Sequence, residues 1–169
     1  VEVQRRSGCT ISGSMDDTWA ALTSGWKAVD STKPSEDSIL FQGDVQPGLS
    51  VLIGLRGQRN NQVIAQEFSK NEQIFERALA SLINGSILDS LSSNGMAVAA
   101  SMGDFDALRI CNLMIASGAL GAGLSGSGPA IAVICYVSDR EDIKGRLSGL
   151  CDRVISTEFL MSEELVEEA

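Results

Sequence analysis

Three short apolar-rich stretches stand early in the chain, residues 26–29, 38–42 and 50–56, separated by turn segments at 30–37 and 43–48. Short apolar stretches bounded by turns point to strands. Leu52-Ile53-Gly54-Leu55 is the most apolar of these runs and is expected at the centre of a sheet. From residue 61 to residue 117 the period becomes helical, with Ile74, Leu79, Leu82 and Ile83 marking one face and Ile87, Leu88 and Leu91 another. Residues 94–102 read as a short helix of small residues, with Asn94-Gly95 at the handover from the helix before it. Residues 104–116 read as the next helix, with Leu108, Cys111, Leu113 and Ile115 beneath it. A small-residue turn at 121–128 then leads into an apolar strand at 130–136. A helix over 139–150 capped by Ser138, and a strand at 153–156, complete the series. From residue 50 the order is strand, helices, strand, strand, helix, strand. That predicts an α+β architecture, a ferredoxin-like domain with extra helices in its first crossover.

Ahead of the first strand, Ser12-Gly13-Ser14 leads into a brief helix that ends before Ser24-Gly25, with Ser14 as its cap and Asp16 and Asp17 in its first turn. Two readings of the acids stand side by side. Carboxylates in a first turn complement the helix dipole and need no further explanation. Adjacent helical residues also point in different directions, so one acid can cap while the other faces a cleft as a general base or cation ligand. Residues 1–6 read as the end of an element, so the chain is expected to be a piece of a longer protein.

Composition narrows the chemistry. The 169 residues are 44% hydrophobic, enough for one substantial core or two small ones. No apolar run approaches the roughly 18 residues of a membrane span and no leader opens the sequence, so a soluble protein in the cytoplasm is expected, with no membrane partner. A formal charge of -9 argues against nucleic acid, which needs clustered Lys and Arg. Part of that charge lies at the acidic end, Glu163, Glu164, Glu167 and Glu168. Histidine is absent, which removes His-based triads and most zinc enzymes and leaves carboxylates, Lys, Tyr or Cys for proton transfer. Cys9, Cys111, Cys135 and Cys151 lie far apart with no CxxC pair, so reduced thiols and no metal site are expected.

The segment Leu124-Ser125-Gly126-Ser127-Gly128-Pro129 carries the most specific spacing in the chain. Glycine permits positive φ and bares its amides, so Gly126 and Gly128 with Ser125 and Ser127 can form an anion-cradling nest, for which phosphate is the natural ligand. The same residues equally suit a tight hairpin between two core strands, with Pro129 where no ladder donor is needed. The segment is neither a Walker loop nor a GxGxxG that opens a helix. Arg56 and Arg59, just past the central strand, either grip an anionic substrate group or lie solvated on the surface.

Three segments resemble the GHMP kinase superfamily, and within it most closely the archaeal-type shikimate kinases. Gly123-Leu124-Ser125-Gly126-Ser127-Gly128-Pro129-Ala130 resembles the superfamily's third, C-terminal motif. Gly13-Ser14-Met15-Asp16-Asp17-Thr18-Trp19-Ala20 is similar to the segment GAFDDAxAS of the archaeal-type enzymes. Ser92-Ser93-Asn94-Gly95-Met96-Ala97, followed by Ala99-Ala100-Ser101-Met102-Gly103 and Ala116-Ser117-Gly118-Ala119-Leu120, resembles a helical stretch of the same group. The resemblance implies ATP-dependent phosphorylation, assisted by Mg²⁺, of the 3-hydroxyl of shikimate. Asp16 would fall on the GxxD catalytic acid; Asp17, Ser14, Ser125 and Gly126 would meet the substrate, and Ser127 and Gly128 would lie near the nucleotide phosphates. It further implies that residues 1–48 end a GHMP N-terminal domain, 49–160 form the ferredoxin-like C-terminal domain and 161–169 are an acidic tail. The superfamily's main phosphate loop, PxxxGLxSSxA, is not in these residues. The N-terminal half of the enzyme is therefore the expected partner, and the chain alone is expected to bind ATP weakly or not at all. Homoserine kinase, disfavoured by the Asp16-Asp17 pair, or another GHMP small-molecule kinase is the alternative. A non-catalytic regulatory or assembly domain is the other.

Overall fold

The three short runs become strands in the computed structural model, which describes residues 16–33, 35–58 and 65–160. The chain divides into two units, one running to Pro47 and joined by the chain from Phe159, the other spanning Gly48–Glu158. In the first, helix α1 (Asp16–Leu22) precedes the antiparallel pair β1 (Trp26–Val29) and β2 (Ile39–Gly43). The Trp19 indole Nε1 donates to Ser38 Oγ at 3.2 Å and so fastens α1 to the 3-10 turn, Ser35–Ser38, just before β2. The expected Ser14 cap lies outside the described residues, as do residues 1–6, Cys9 and the acidic end 161–169.

The second unit holds β3 (Leu49–Leu55), then four helices, α2 (Ala65–Lys70), α3 (Glu72–Ile83), α4 (Ile87–Ser101) and α5 (Phe105–Ala116). These are followed by β4 (Gly121–Leu124), β5 (Ile131–Tyr136), α6 (Arg140–Ser148) and β6 (Arg153–Thr157). The strands form one antiparallel sheet in the order β4-β5-β3-β6, so the most apolar run is indeed an inner strand. Strand-helix-strand, strand-helix-strand with this order is the ferredoxin-like arrangement, with α2 to α5 filling the first crossover. The fold class is α+β. Leu52 and Val133 sit opposite each other in the β3/β5 register and are both fully buried. They join Ala107, Ile110, Cys111 and Met114 of α5 and Ile143 and Leu147 of α6 in one core cluster. Cys111 and Cys135 are buried among apolar neighbours, as their setting in the sequence predicts.

Several expectations are corrected. Asn94-Gly95 is no helix boundary, because α4 runs unbroken through it. Its buried positions are Ser90, Gly95, Ala97, Ala99 and Ser101, not the leucines, since α4 lies too close to β4 for larger side chains. A Cβ on Gly95 would stand 2.6 Å from the Gly123 Cα and 2.9 Å from the Leu124 amide nitrogen. The Ser92 hydroxyl, which donates to Leu88 O at 2.8 Å, accepts the Ala122 amide at 3.1 Å. The sheet edge at β4 is thus covered by a helix, one way to satisfy unpaired strand donors. On α5 the buried stripe is Ala107, Ile110, Cys111 and Met114, whereas Leu113 and Ile115 are exposed. Leu79 and Ile83 likewise face outward from α3, which buries Ala78. Ser138 does not cap α6: the helix starts after a 3-10 turn, Val137–Asp139, and the Ser138 hydroxyl donates to Asp139 Oδ1 at 3.1 Å.

Candidate functional site

The residues singled out by sequence fall in both units. In the first, Asp16 opens α1 and is exposed. Asp17 follows it in the helix, about 100° further round at 3.6 residues per turn, and its side chain lies outside the described residues, as does all of Ser14. Thr23 closes the other end of α1, its amide and hydroxyl donating to Trp19 O at 3.0 and 2.7 Å. With Trp19 tied to Ser38, the helix that carries Asp16 is anchored along its length and at its end.

In the second unit the glycine segment is a β4/β5 hairpin. Leu124 pairs with Ile131, so the first half of the expected 121–128 turn is strand and the reversal itself is short. The Ser125 amide donates to Ala130 O at 2.8 Å and the Gly128 amide to Ser125 O at 2.9 Å. Gly126 and Gly128 take φ of +54° and +77°, and the Gly128–Pro129 peptide is cis. The hairpin alternative therefore describes the backbone. Two amides that a nest would offer an anion are committed to closing the turn. Ser125 and Gly126 are exposed at its tip, while Ser127 and Gly128 are half-buried. The tip can present hydroxyl and peptide groups to a ligand, but it is not an open ring of amides.

Beside the hairpin is a charged group that no local sequence pattern announces. Arg56 is neither solvated nor open to a substrate, its side chain being 14% exposed. Its Nε donates to Pro129 O at 2.9 Å, its Nη1 to Asp104 Oδ1 at 3.2 Å, and its Nη2 pairs closely with Asp104 Oδ2. Nη1 also reaches Asp106 Oδ2 at 3.4 Å. Asp104 is at the same time the N-cap of α5, Oδ1 accepting the Ala107 amide at 2.9 Å. Burial disfavours both charges. The hydrogen bonds and charges exchanged within the group outweigh it, leaving the Asp104 carboxyl below its ordinary range and the Arg56 guanidinium above its own. Nothing local in the sequence pairs an arginine that follows an apolar strand with an aspartate 48 residues on. Arg59 lies outside the described residues.

Residues 107–153 match the GHMP kinases C terminal family. The matched segment runs from α5 through the hairpin to the start of β6 and includes all of Ser125 to Gly128. No curated protein sequence matches the chain. Among solved structures, a phosphotransferase related to a CoA biosynthesis pathway aligns with a TM-score of 0.51 at 12% identity, covering 72% of this chain and 41% of that one. A homoserine kinase from Cytophaga hutchinsonii aligns at 0.44 and 16%, covering 74% and 46%. A mevalonate pyrophosphate decarboxylase from Streptococcus pyogenes aligns at 0.49 and 11%, covering 75% and 49%. The chain thus spans less than half the length of these relatives, and the likeness to the phosphotransferase is one of fold.

The described residues contain no group of three or more His, Cys, Asp or Glu that could hold a metal ion, and no helix long and apolar enough to cross a membrane. Magnesium ordinarily binds through one or two carboxylates together with substrate phosphates. A single acid such as Asp16 suits that mode; an all-protein cage does not fit the described residues.

Proposed function

We propose that the chain is the C-terminal part of a cytoplasmic small-molecule kinase that transfers the γ-phosphoryl group of ATP to the 3-hydroxyl of shikimate, in aromatic amino-acid biosynthesis. The observation that carries this reading is that the family match falls on the hairpin whose tip, Ser125 and Gly126, is exposed. Residues 1–48 then belong to an N-terminal nucleotide domain, completed by the half of the enzyme that bears the main phosphate loop. Residues 49–160 form the C-terminal domain, and 161–169 its tail.

The transfer forms a bond between the acceptor oxygen and the γ-phosphorus, breaks the bond from that phosphorus to the bridging oxygen, and releases ADP. Asp16 takes the hydroxyl proton or orients the hydroxyl for in-line attack. Asp17, Ser14, Ser125 and Gly126 hold the acceptor, and Ser127 and Gly128 lie near the phosphates as a supporting wall. When bound, Mg²⁺ neutralises phosphate charge.

Shikimate is preferred to homoserine because the Asp16-Asp17 pair suits the archaeal-type shikimate kinases. The test is ADP release by the full-length protein with ATP, Mg²⁺ and either acceptor. Turnover of shikimate, inhibited only weakly by homoserine, is expected. Turnover of homoserine alone would transfer the assignment, and turnover of neither would favour a regulatory or assembly domain.

A further inference from the structure

We infer that Arg56, gripped by Asp104, is the positioning residue that fixes the Ser125–Gly128 turn in its ligand-facing form. The inference rests on the proposed function for its kinetic consequence, but its structural part stands by itself. Between β4 and β5, Ala130 O accepts the Ser125 amide and so belongs to the hairpin closure. The neighbouring carbonyl, Pro129 O, takes the Arg56 Nε instead, at 2.9 Å. Backbone bonds thus close the turn from within, and a charged donor grips it from outside.

That donor is itself immobilised. Both terminal nitrogens of the guanidinium engage Asp104, and Asp104 is fixed by the Ala107 amide at the start of α5. A planar fork with a donor on its third nitrogen can serve a carboxylate and a carbonyl at once, whereas the compact ammonium of lysine cannot span the two. Arg56 comes from the end of β3, Asp104 from the head of α5, and Pro129 from the turn, so one side chain registers three elements at the base of the tip. Ser125 and Gly126 stay exposed above it. Arg56 itself does not touch the acceptor in this account; it acts through the turn.

The test uses the full-length protein and three forms: wild type, Arg56→Lys and Asp104→Ser. Serine keeps an N-cap acceptor for the Ala107 amide while removing the carboxylate that orients Arg56. Amide hydrogen exchange is read at Ser125 and Gly128, with the β3/β5 ladder as the internal control. In both variants exchange at the two turn amides is expected to rise about tenfold or more, the equivalent of losing one hydrogen bond to a charged group, while the ladder stays protected. With turnover as the second readout, the KM for shikimate rises about tenfold and kcat changes little, the pattern of lost uniform binding. Unchanged turn exchange overturns the inference, as does an equal rise throughout the unit, which would mark a merely structural ion pair. A fall in kcat at constant KM also overturns it. If wild type shows no turnover with any acceptor, the proposed function fails, and the exchange comparison still decides whether Arg56 sets the turn.

Discussion

Replacing Gly95 by alanine turns the packing of α4 against β4 into a number. In an exposed helix interior this substitution gains up to about 1 kcal/mol, because alanine restricts the unfolded chain and favours the helix. At Gly95 the added methyl would lie 2.6 Å from Gly123 Cα, 2.9 Å from the Leu124 nitrogen and 3.1 Å from the Gly123 carbonyl carbon. All three are backbone atoms of β4, which have no rotamer to escape into. Overpacking of this kind costs roughly 1–3 kcal/mol, and with backbone on the far side the upper end applies, so the net loss is about 2 kcal/mol. In a unit of this size that lowers Tm by on the order of 10 °C. Gly145, in α6, is the control: beyond its chain neighbours and its own helix backbone nothing lies within 4 Å of a Cβ there, so Gly145→Ala should be neutral or stabilising. Scanning calorimetry of the two variants measures both signs in the same fold. If Gly95→Ala were to raise Tm as Gly145→Ala does, the close approach of α4 to β4 would be wrong, and with it the reason given for the small residues in α4.

The turn yields a second comparison. A methyl added at Gly126, where φ is +54°, would enter open space, whereas one on Gly128 at φ +77° would meet Leu124 Cδ1 at 2.9 Å. Gly126→Ala should cost about 1–2 kcal/mol from the left-handed backbone alone. Gly128→Ala should cost about 1 kcal/mol more because Leu124 must yield; urea unfolding that gives equal or reversed losses would contradict this geometry. The Arg56 pair adds a pH dependence. Because the folded-state pKa of Asp104 lies below its ordinary value of 3.8, its contribution to stability is complete above that value and is lost as pH falls through the folded pKa. Asp104→Asn keeps a capping side chain, so its stability deficit against wild type should be constant from neutrality down to about pH 5 and shrink below about pH 4. A deficit that is independent of pH would show that charge pairing contributes nothing.

What is legible in the sequence is what local pattern governs. The runs at 49–55 and 131–136 are apolar enough to identify inner strands, and the strand and helix order from residue 50 suffices for the ferredoxin-like arrangement. The α5 stripe, Ala107, Ile110, Cys111 and Met114, follows i, i+3, i+4, i+7, and counting Ala107 as apolar separates it from Leu113 and Ile115. Gly95 misleads because a glycine that breaks a helix and one that admits a neighbouring strand look alike in one dimension. Arg56 misleads for a similar reason: Asp104 and Pro129 are 48 and 73 residues away, beyond any local signal. The Ser125–Gly128 motif is legible as a motif. Its hairpin bonds, which use two of the amides a phosphate nest would need, follow from the β4/β5 pairing.

The proposed phosphoryl transfer makes Asp16 the group that handles the acceptor proton. Turnover of shikimate with ATP and Mg²⁺ by the full-length protein, wild type against Asp16→Asn, tests that role. In Asp16→Asn, kcat is expected to fall by about 10²–10⁴-fold, the range for losing a positioned proton acceptor. Turnover by Asp16→Asn at the wild-type rate would contradict it.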